Sequence, residues 1–298
     1  MNVRKVVAGL AVATTLALAA CGNDSNPSAG KTTTTASTPA LKRVVSMSAT
    51  ATEMLFAIGA DKQVVAVDDQ SNYPARVPKT GLSAYQPSVE AIAAQTPDLV
   101  VIASDTKGIK AQLEKLSIPV LIEPAAKTLN DTYTQITDLG RRTGHADKAR
   151  AVISRMRDRI ATLKKSVPKR TPTPTYYHEL DNTLFSVTSK TFIGELYALA
   201  GLENVADPAD ANGQTGGYPQ LSAEYLVKAD PDLIFLADTK CCAQNRDTVA
   251  ARPGFAGLKA VKNGHVIALD DDIASRWGPR VVDLFQRIID AVQALPQQ

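Results

Sequence analysis

Ser88-Val89-Glu90-Ala91-Ile92 followed by Pro97-Asp98-Leu99-Val100 recurs as Ser222-Ala223-Glu224-Tyr225-Leu226 followed by Pro231-Asp232-Leu233-Ile234, every matched position displaced by 134 residues. In each copy a serine stands where a helix needs an N-cap and a glutamate falls in the first turn, where the helix dipole favours an acid. Pro-Asp then stops the helix ahead of a short apolar strand. A helix feeding a buried strand is half of a βαβ unit, so the repeat predicts two related α/β lobes. Capping accounts for the serines and the Pro-Asp pairs. Glu90 and Glu224 ask for more, because duplication puts two acids at equivalent, exposed points of the two lobes.

Outward from the repeat, the alternation continues. In the first half, apolar runs at 43–46, 64–67, 99–103 and 120–122 read as strands, separated by helical patterns near 51–58, 88–95, 107–116 and 128–142. Thr50 or Thr52 is placed to cap the first helix and Gly59 to close it. In the second half, 175–178, 185–188, 233–236 and 265–269 read as strands, with helices near 191–200, 222–229, 247–251 and 279–294. Between the halves, Ala149, Ile153, Met156, Ile160 and Leu163 make one apolar stripe on an unbroken helical pattern. Pro168, Pro172 and Pro174 end it. The expected fold is therefore two Rossmann-like lobes with parallel sheets, 42–143 and 169–298, joined by one rigid helix over 144–168, with a ligand cleft between the lobes.

The first forty residues set the compartment. Arg4 and Lys5 precede an apolar run to Ala20, too short for a membrane span and ending in small residues, so 1–20 read as a secretory leader. Leu18-Ala19-Ala20-Cys21 resembles the lipobox of bacterial lipoproteins, which makes Cys21 the lipidated first residue of the mature chain. Residues 21–41 are rich in Ser, Thr, Pro and Gly and read as a disordered tether. Whole-chain charge is close to balanced, with 33 Lys and Arg against 30 Asp and Glu. Without Arg4 and Lys5 the excess falls to one, which argues against nucleic acid as a partner.

With Cys21 lipidated, Cys241 and Cys242 remain, and an exported pair points to a disulfide. Neighbouring Cα atoms stand about 3.8 Å apart, below the usual disulfide range, so such a bridge would be strained. A structural turn, redox sensing and metal capture all remain open for the pair. Enzyme motifs are missing: there is no G-x-S-x-G elbow, Walker loop, G-x-G-x-x-G or H-E-x-x-H, and His145, His178 and His265 are scattered.

The lipobox, "RVVSMSATATEMLFAIGA", "SVEAIAAQTPDLVV", the linking helix, "GLENVAD", "LSAEYLVKADPDLIFL" and the terminal helix after "SRWGPR" together resemble the class III substrate-binding lipoproteins of ABC importers. The resemblance covers about residues 41–295 and implies a monomeric receptor without a cofactor or enzymatic activity, held on the outer face of the cell membrane. It also implies that Glu90 and Glu224 dock onto arginines of a membrane permease. The ligand classes it implies are a ferric siderophore first, then haem, then cobalamin. In open α/β sheets ligands sit off the carboxyl ends of the strands. That rule selects Ser48, Tyr73, Tyr85, His178, Tyr218, Arg246, Arg276, Trp277 and Arg280. Tyr85, Tyr218 and Trp277 offer flat apolar faces, and the arginines offer donors suited to an anionic ferric chelate. Tyr73, Tyr85, Tyr218 and His178 are the groups that could ligate haem iron. Glu53, in "TATEMLF", reads as a helix-surface acid.

Overall fold

Residues 41–296 are described by the structure, a computed structural model; the leader, Cys21 and almost all of the expected tether lie outside them. The first sheet consists of β1 (Val44–Met47), β2 (Val64–Val67), β3 (Leu99–Ile102) and β4 (Val120–Ile122). Its order is β2-β1-β3-β4 and all its pairings are parallel. Helices α1 (Ala49–Ala57), α2 (Val89–Ala93) and α3 (Ile109–Lys115) connect these strands, and α4 (Leu129–Thr143) follows. β1 and β3 are buried along their whole length, as central strands of a parallel sheet covered on both faces must be.

After α4, Gly144 turns the chain with a φ of 75°, a conformation that costs glycine little. The linking helix α5 (Ala146–Lys165) then runs for 20 residues, about 30 Å at 1.5 Å per residue. The second sheet repeats the first in the order β6-β5-β7-β8, again all parallel. Its strands are β5 (Thr175–Glu179), β6 (Glu203–Asn204), β7 (Leu233–Leu236) and β8 (Val266–Ala268). Around it lie α6 (Phe192–Leu199), α7 (Ala223–Ala229), α8 (Arg246–Ala250), α9 (Lys259–Lys262), α10 (Asp271–Ala274) and α11 (Val281–Ala294).

The repeated motif has the same construction in both sheets. Ser88 caps α2 by accepting from Ala91 N at 3.1 Å, and Ser222 caps α7 by accepting from Tyr225 N at 3.1 Å. The aspartate of each Pro-Asp pair does more than end a helix. Asp98 accepts from the main-chain N–H groups of Lys42 and Arg43, both at 2.9 Å. Asp232 accepts from that of Thr175 at 2.9 Å. Each thereby pins the start of the central strand β1 or β5 beside the strand that follows the motif.

Two expected elements differ. Residues 185–188 form no strand: Leu184 has a φ of 70°, and the segment bonds instead to the 217–219 loop, with Ser186 N donating to Pro219 O and Thr188 N to Gly217 O. The fourth position in the sheet is taken by β6. α1 is capped one turn earlier than Thr52, by Ser48, whose hydroxyl accepts from Ala51 N.

The largest core does not stop at the junction of the two halves. It gathers Met54, Leu55 and Ile136 from the first, Ile153, Met156 and Ile160 from α5, and Tyr197, Phe235 and Phe285 from the second. Burial of each such side chain is worth about 1.5–3 kcal/mol, so α5 is a beam embedded in one continuous core. Smaller clusters close the outer sides of the sheets.

Candidate functional site

The carboxyl ends of β1, β2 and β3 open on a cavity of about 490 Å³. Met47, Ser48, Asp68, Gln70, Tyr85, Ser104 and Thr106 line it from the first half, and Asp272, Ser275, Arg276 and Trp277 from the second. A larger groove of about 800 Å³ lies at the amino ends of the second sheet, among Pro168–Thr175, Asp230 and His265. It lacks the convergence of strand carboxyl ends that marks ligand sites in such sheets, so the first cavity is the candidate site.

The wall contributed by the second half is a strap, residues 270–280, that docks on the first half. Thr132 Oγ1 donates to Trp277 O and Trp277 Nε1 donates to Gln135 Oε1, at 2.9 and 2.8 Å, both on α4. Under the strap lies Glu53, which is no surface acid: only 3% of it is exposed. Arg276 reaches it at 2.8 Å, and Arg280 Nε donates to its other oxygen at 2.9 Å. Arg276 is further engaged by Asn72 Oδ1, Gln70 O and Asp272 Oδ1 at 2.8–2.9 Å. The Arg280 guanidinium also stacks 4.1 Å from the centre of the Tyr73 ring. Both arginines were ligand candidates, with pairing to Asp270–Asp272 as the alternative for one of them; Arg276 lines the cavity, and both bridge the halves through Glu53.

Of the other expected residues, Ser48, Tyr85 and Trp277 border the cavity, and Tyr85 is 75% exposed. Tyr73 and Tyr218 are exposed on neighbouring loops but do not line it. Arg246 begins α8 and donates to Val261 O at 3.3 Å, away from the cavity. His178 must be corrected outright. It is fully buried, bonded through Nδ1 to Tyr197 Oη at 2.7 Å, and burial lowers its pKa to about 3, so it is a neutral core residue. Cys241 and Cys242, for which a bridge was one of several open roles, are free thiols in the turn ahead of α8. The hydrogen bond to Cys242, with burial, pushes the Cys241 thiol up to about 12.

Glu90 and Glu224 are both exposed in the first turns of α2 and α7. Their own main-chain N–H groups, with the Ser88 and Ser222 hydroxyls, lower both carboxyls below the ordinary glutamate value. Inside the cavity, burial raises the Asp68 carboxyl. Sequence reasoning missed Gln135 and placed Glu53 on the helix surface, while the alternative that one arginine pairs within Asp270–Asp272 matches the Arg276–Asp272 contact. Glu53 had a legible signal, since an acid in a helix with no polar face has nowhere to go but inward, to a partner.

Two further buried acids, Glu179 and Asp238, lie behind the loops of the second sheet. Glu179 is held by Arg252 at 2.6 and 2.5 Å. Asp238 is fully buried with neither carboxylate oxygen bonded to a donor. Burial first, then the charge of Glu179, pushes the Asp238 carboxyl up to about 7. An unfolded aspartate titrates near ~3.9, so the folded chain holds an extra proton between the two values. That contribution to stability is complete below pH ~4 and is lost as pH rises through 7. Asp238→Asn is therefore expected to raise the melting temperature relative to the unsubstituted protein, and by more at pH 8 than at pH 5. An equal change at both would refute the assignment.

Among the described residues no helix is long and apolar enough to cross a membrane, and no group of three His, Cys, Asp or Glu is placed to hold a metal. Residues 44–273 match the family described as periplasmic binding protein. The chain belongs to that family, the substrate-binding components of class III ABC importers, which are binding proteins and not enzymes. It is 30% identical over 258 residues to a cobalamin-binding protein of Halobacterium salinarum, covering 84% of this chain and 69% of that one. To the ABC transporter substrate-binding lipoprotein YvrC of Bacillus subtilis it is 25% identical over 84% of this chain and 80% of that one. Among solved structures, the periplasmic haem-binding protein RhuT from Roseiflexus sp. RS-1 in apo form is similar at a TM-score of 0.72 and 25% identity, covering 85% of this chain and 99% of that one.

Proposed function

We propose that this protein is a lipid-anchored receptor, attached through Cys21, that captures a corrinoid of the cobalamin class and delivers it to a membrane permease. The observation that carries the ligand class is the state of the cations in the cavity. An anionic ferric chelate or the carboxylates of haem call for free guanidinium or ammonium groups. Arg276, the one cation lining the cavity among the described residues, makes four hydrogen bonds to protein groups, one of them to Asp272, and the Asp68 carboxyl lines the same space. What remains for a ligand is the Tyr85 ring, Trp277, and the neutral hydroxyl and amide groups of Ser48, Gln70, Ser104 and Thr106. Aromatic faces with neutral donors and acceptors suit a macrocycle fringed with amides. The likeness to the cobalamin-binding protein of Halobacterium salinarum supports the same class.

A haem reading has one specific support, the exposed phenol of Tyr85 at the mouth of the cavity, which is placed to ligate iron. Titration with cyanocobalamin, haemin, ferric citrate and a ferric hydroxamate, read by quenching of Trp277, the chain's single tryptophan, separates the readings. Saturable quenching by cyanocobalamin, weakened about tenfold or more in Tyr85→Ala, is the expected result. A one-to-one Soret band with haemin that Tyr85→Phe abolishes would replace the corrinoid by haem, and silence across the panel would sink the receptor reading itself.

A further inference from the structure

The chain's near-neutral charge is unevenly spread. Helix α5 carries seven Lys and Arg against Asp147 and Asp158, in a chain with 33 such cations against 30 acids overall. All seven cations are exposed, and among the described residues only Arg150 has an acid, Asp147, within salt-bridge distance. The helical period places Lys148, Arg155 and Arg159 along one flank of the buried stripe and Arg150, Arg157 and Lys164 along the other. Contacts agree with this: Arg159 donates to Gln286 on α11, while Arg157 lies over the Tyr133 ring of α4. The two acids fall between the rows.

The position of α5 gives this charge a direction. Leu41, three residues ahead of β1, is held beside the end of α4 by Gln63, whose Nε2 donates to Leu41 O at 2.5 Å and to Thr143 O at 3.0 Å. The far end of α5 passes through residues 166–174 into the amino end of β5. Both ends of the helix therefore lie at the amino edges of the parallel sheets, opposite the cavity at their carboxyl ends. Leu41, the first described residue and the one to which the sequence carrying Cys21 connects, lies at this same basic face.

We propose that the α5 face rests on an anionic lipid bilayer, turning the cavity outward. The idea goes beyond the receptor reading. It rests on that reading only for the tether, since the contact itself is made by α5. The twenty residues from Cys21 span at most about 70 Å, long enough for the α5 face to touch the bilayer and for the body to turn over and present Glu90 and Glu224 instead. Exposed cations act over a screening length of about 8 Å at physiological salt, so the contact is weak, reversible and sensitive to salt and lipid charge.

The sheets and cores are formed by residues 41–296, so a soluble chain beginning at Gly22 keeps the folded body without leader or lipid. It is expected to co-sediment at low salt with vesicles of phosphatidylcholine containing phosphatidylglycerol, to ignore pure phosphatidylcholine, and to be released by high salt. Lys148→Glu with Arg155→Glu and Lys164→Glu should weaken this binding at least about tenfold, while Lys110→Glu with Lys115→Glu on α3 should not. If the triple reversal fails to fold, the corresponding glutamines replace it. Cyanocobalamin binding should be unchanged throughout, so failure at the vesicle and failure of the receptor reading are read separately. No dependence on phosphatidylglycerol, or equal loss in the α3 variant, overturns the proposal. Displacement by soluble poly(glycerol phosphate) at equal phosphate overturns it too, assigning the face to a soluble polyanion.

Discussion

Glu53→Ala is expected to destabilise the fold by about 3–5 kcal/mol, the range for removing one partner of a buried ion pair. The cost arises because two guanidinium groups, with side chains only 9% and 15% exposed, would keep their burial and lose a shared carboxylate, leaving Arg276 with Asp272 alone and Arg280 with no ion-pair partner among the described residues. Denaturant or thermal unfolding measures it. Loss of ligand affinity should accompany it, since Arg276 and Trp277 are neighbours on the strap and both border the cavity. Glu53→Gln keeps the shape and part of the hydrogen bonding and should fall between. Replacing all three charges, as in Glu53→Leu with Arg276→Met and Arg280→Met, should destabilise less than Glu53→Ala, because no uncompensated charge is left inside. A Glu53→Ala protein as stable as the parent would show that the strap is held by Trp277 and its partners on α4 alone.

Glu90→Ala combined with Glu224→Ala should abolish ligand uptake by cells while leaving equilibrium binding to the purified protein unchanged. Both side chains are exposed at the starts of short helices, and neither lines the cavity. Charge on a docking rim acts mainly on encounter and orientation, so each single substitution should slow uptake and the pair should slow it far more. High salt should reproduce the effect in part by screening the acids. Radiolabelled cobalamin uptake, set against fluorescence titration of the same variants, checks this. Normal uptake by the double variant would refute the docking role, and lost binding would show that the two acids serve the cavity instead.

The repeat exposed the doubled sheet because its signals are local: a capping serine, an acid in a first turn and a helix stop all act within a few residues. Their spacing also places Glu90 and Glu224 without reference to anything distant. The short strand β6 escaped notice because two residues carry no periodicity, while 185–188, apolar and β-branched, has strand chemistry but pairs with a loop. The state of the arginines was illegible for another reason. Arg276 and Arg280 are four apart and would share a face only if the last helix began early; it begins at Val281, and whether the two side chains meet solvent, ligand or Glu53 depends on how the strap folds back across α1. His178 shows the same limit: a strand-end histidine reads the same whether it faces a cleft or, as here, the Tyr197 hydroxyl inside the core.

The spacing of Glu53 from its partners bears on when the chain can fold. Its counter-charges lie 223 and 227 residues downstream. Until nearly the whole polypeptide is available, α1 cannot bury its acid without leaving it unpaired, and the first sheet lacks one of the surfaces that cover it. The amino-terminal half therefore cannot hold Glu53 in its paired state before the carboxyl-terminal strap is present. For a family that works outside the cytoplasm, this ordering favours a chain still loose enough to be threaded across a membrane, with the charge triad closing only on the far side.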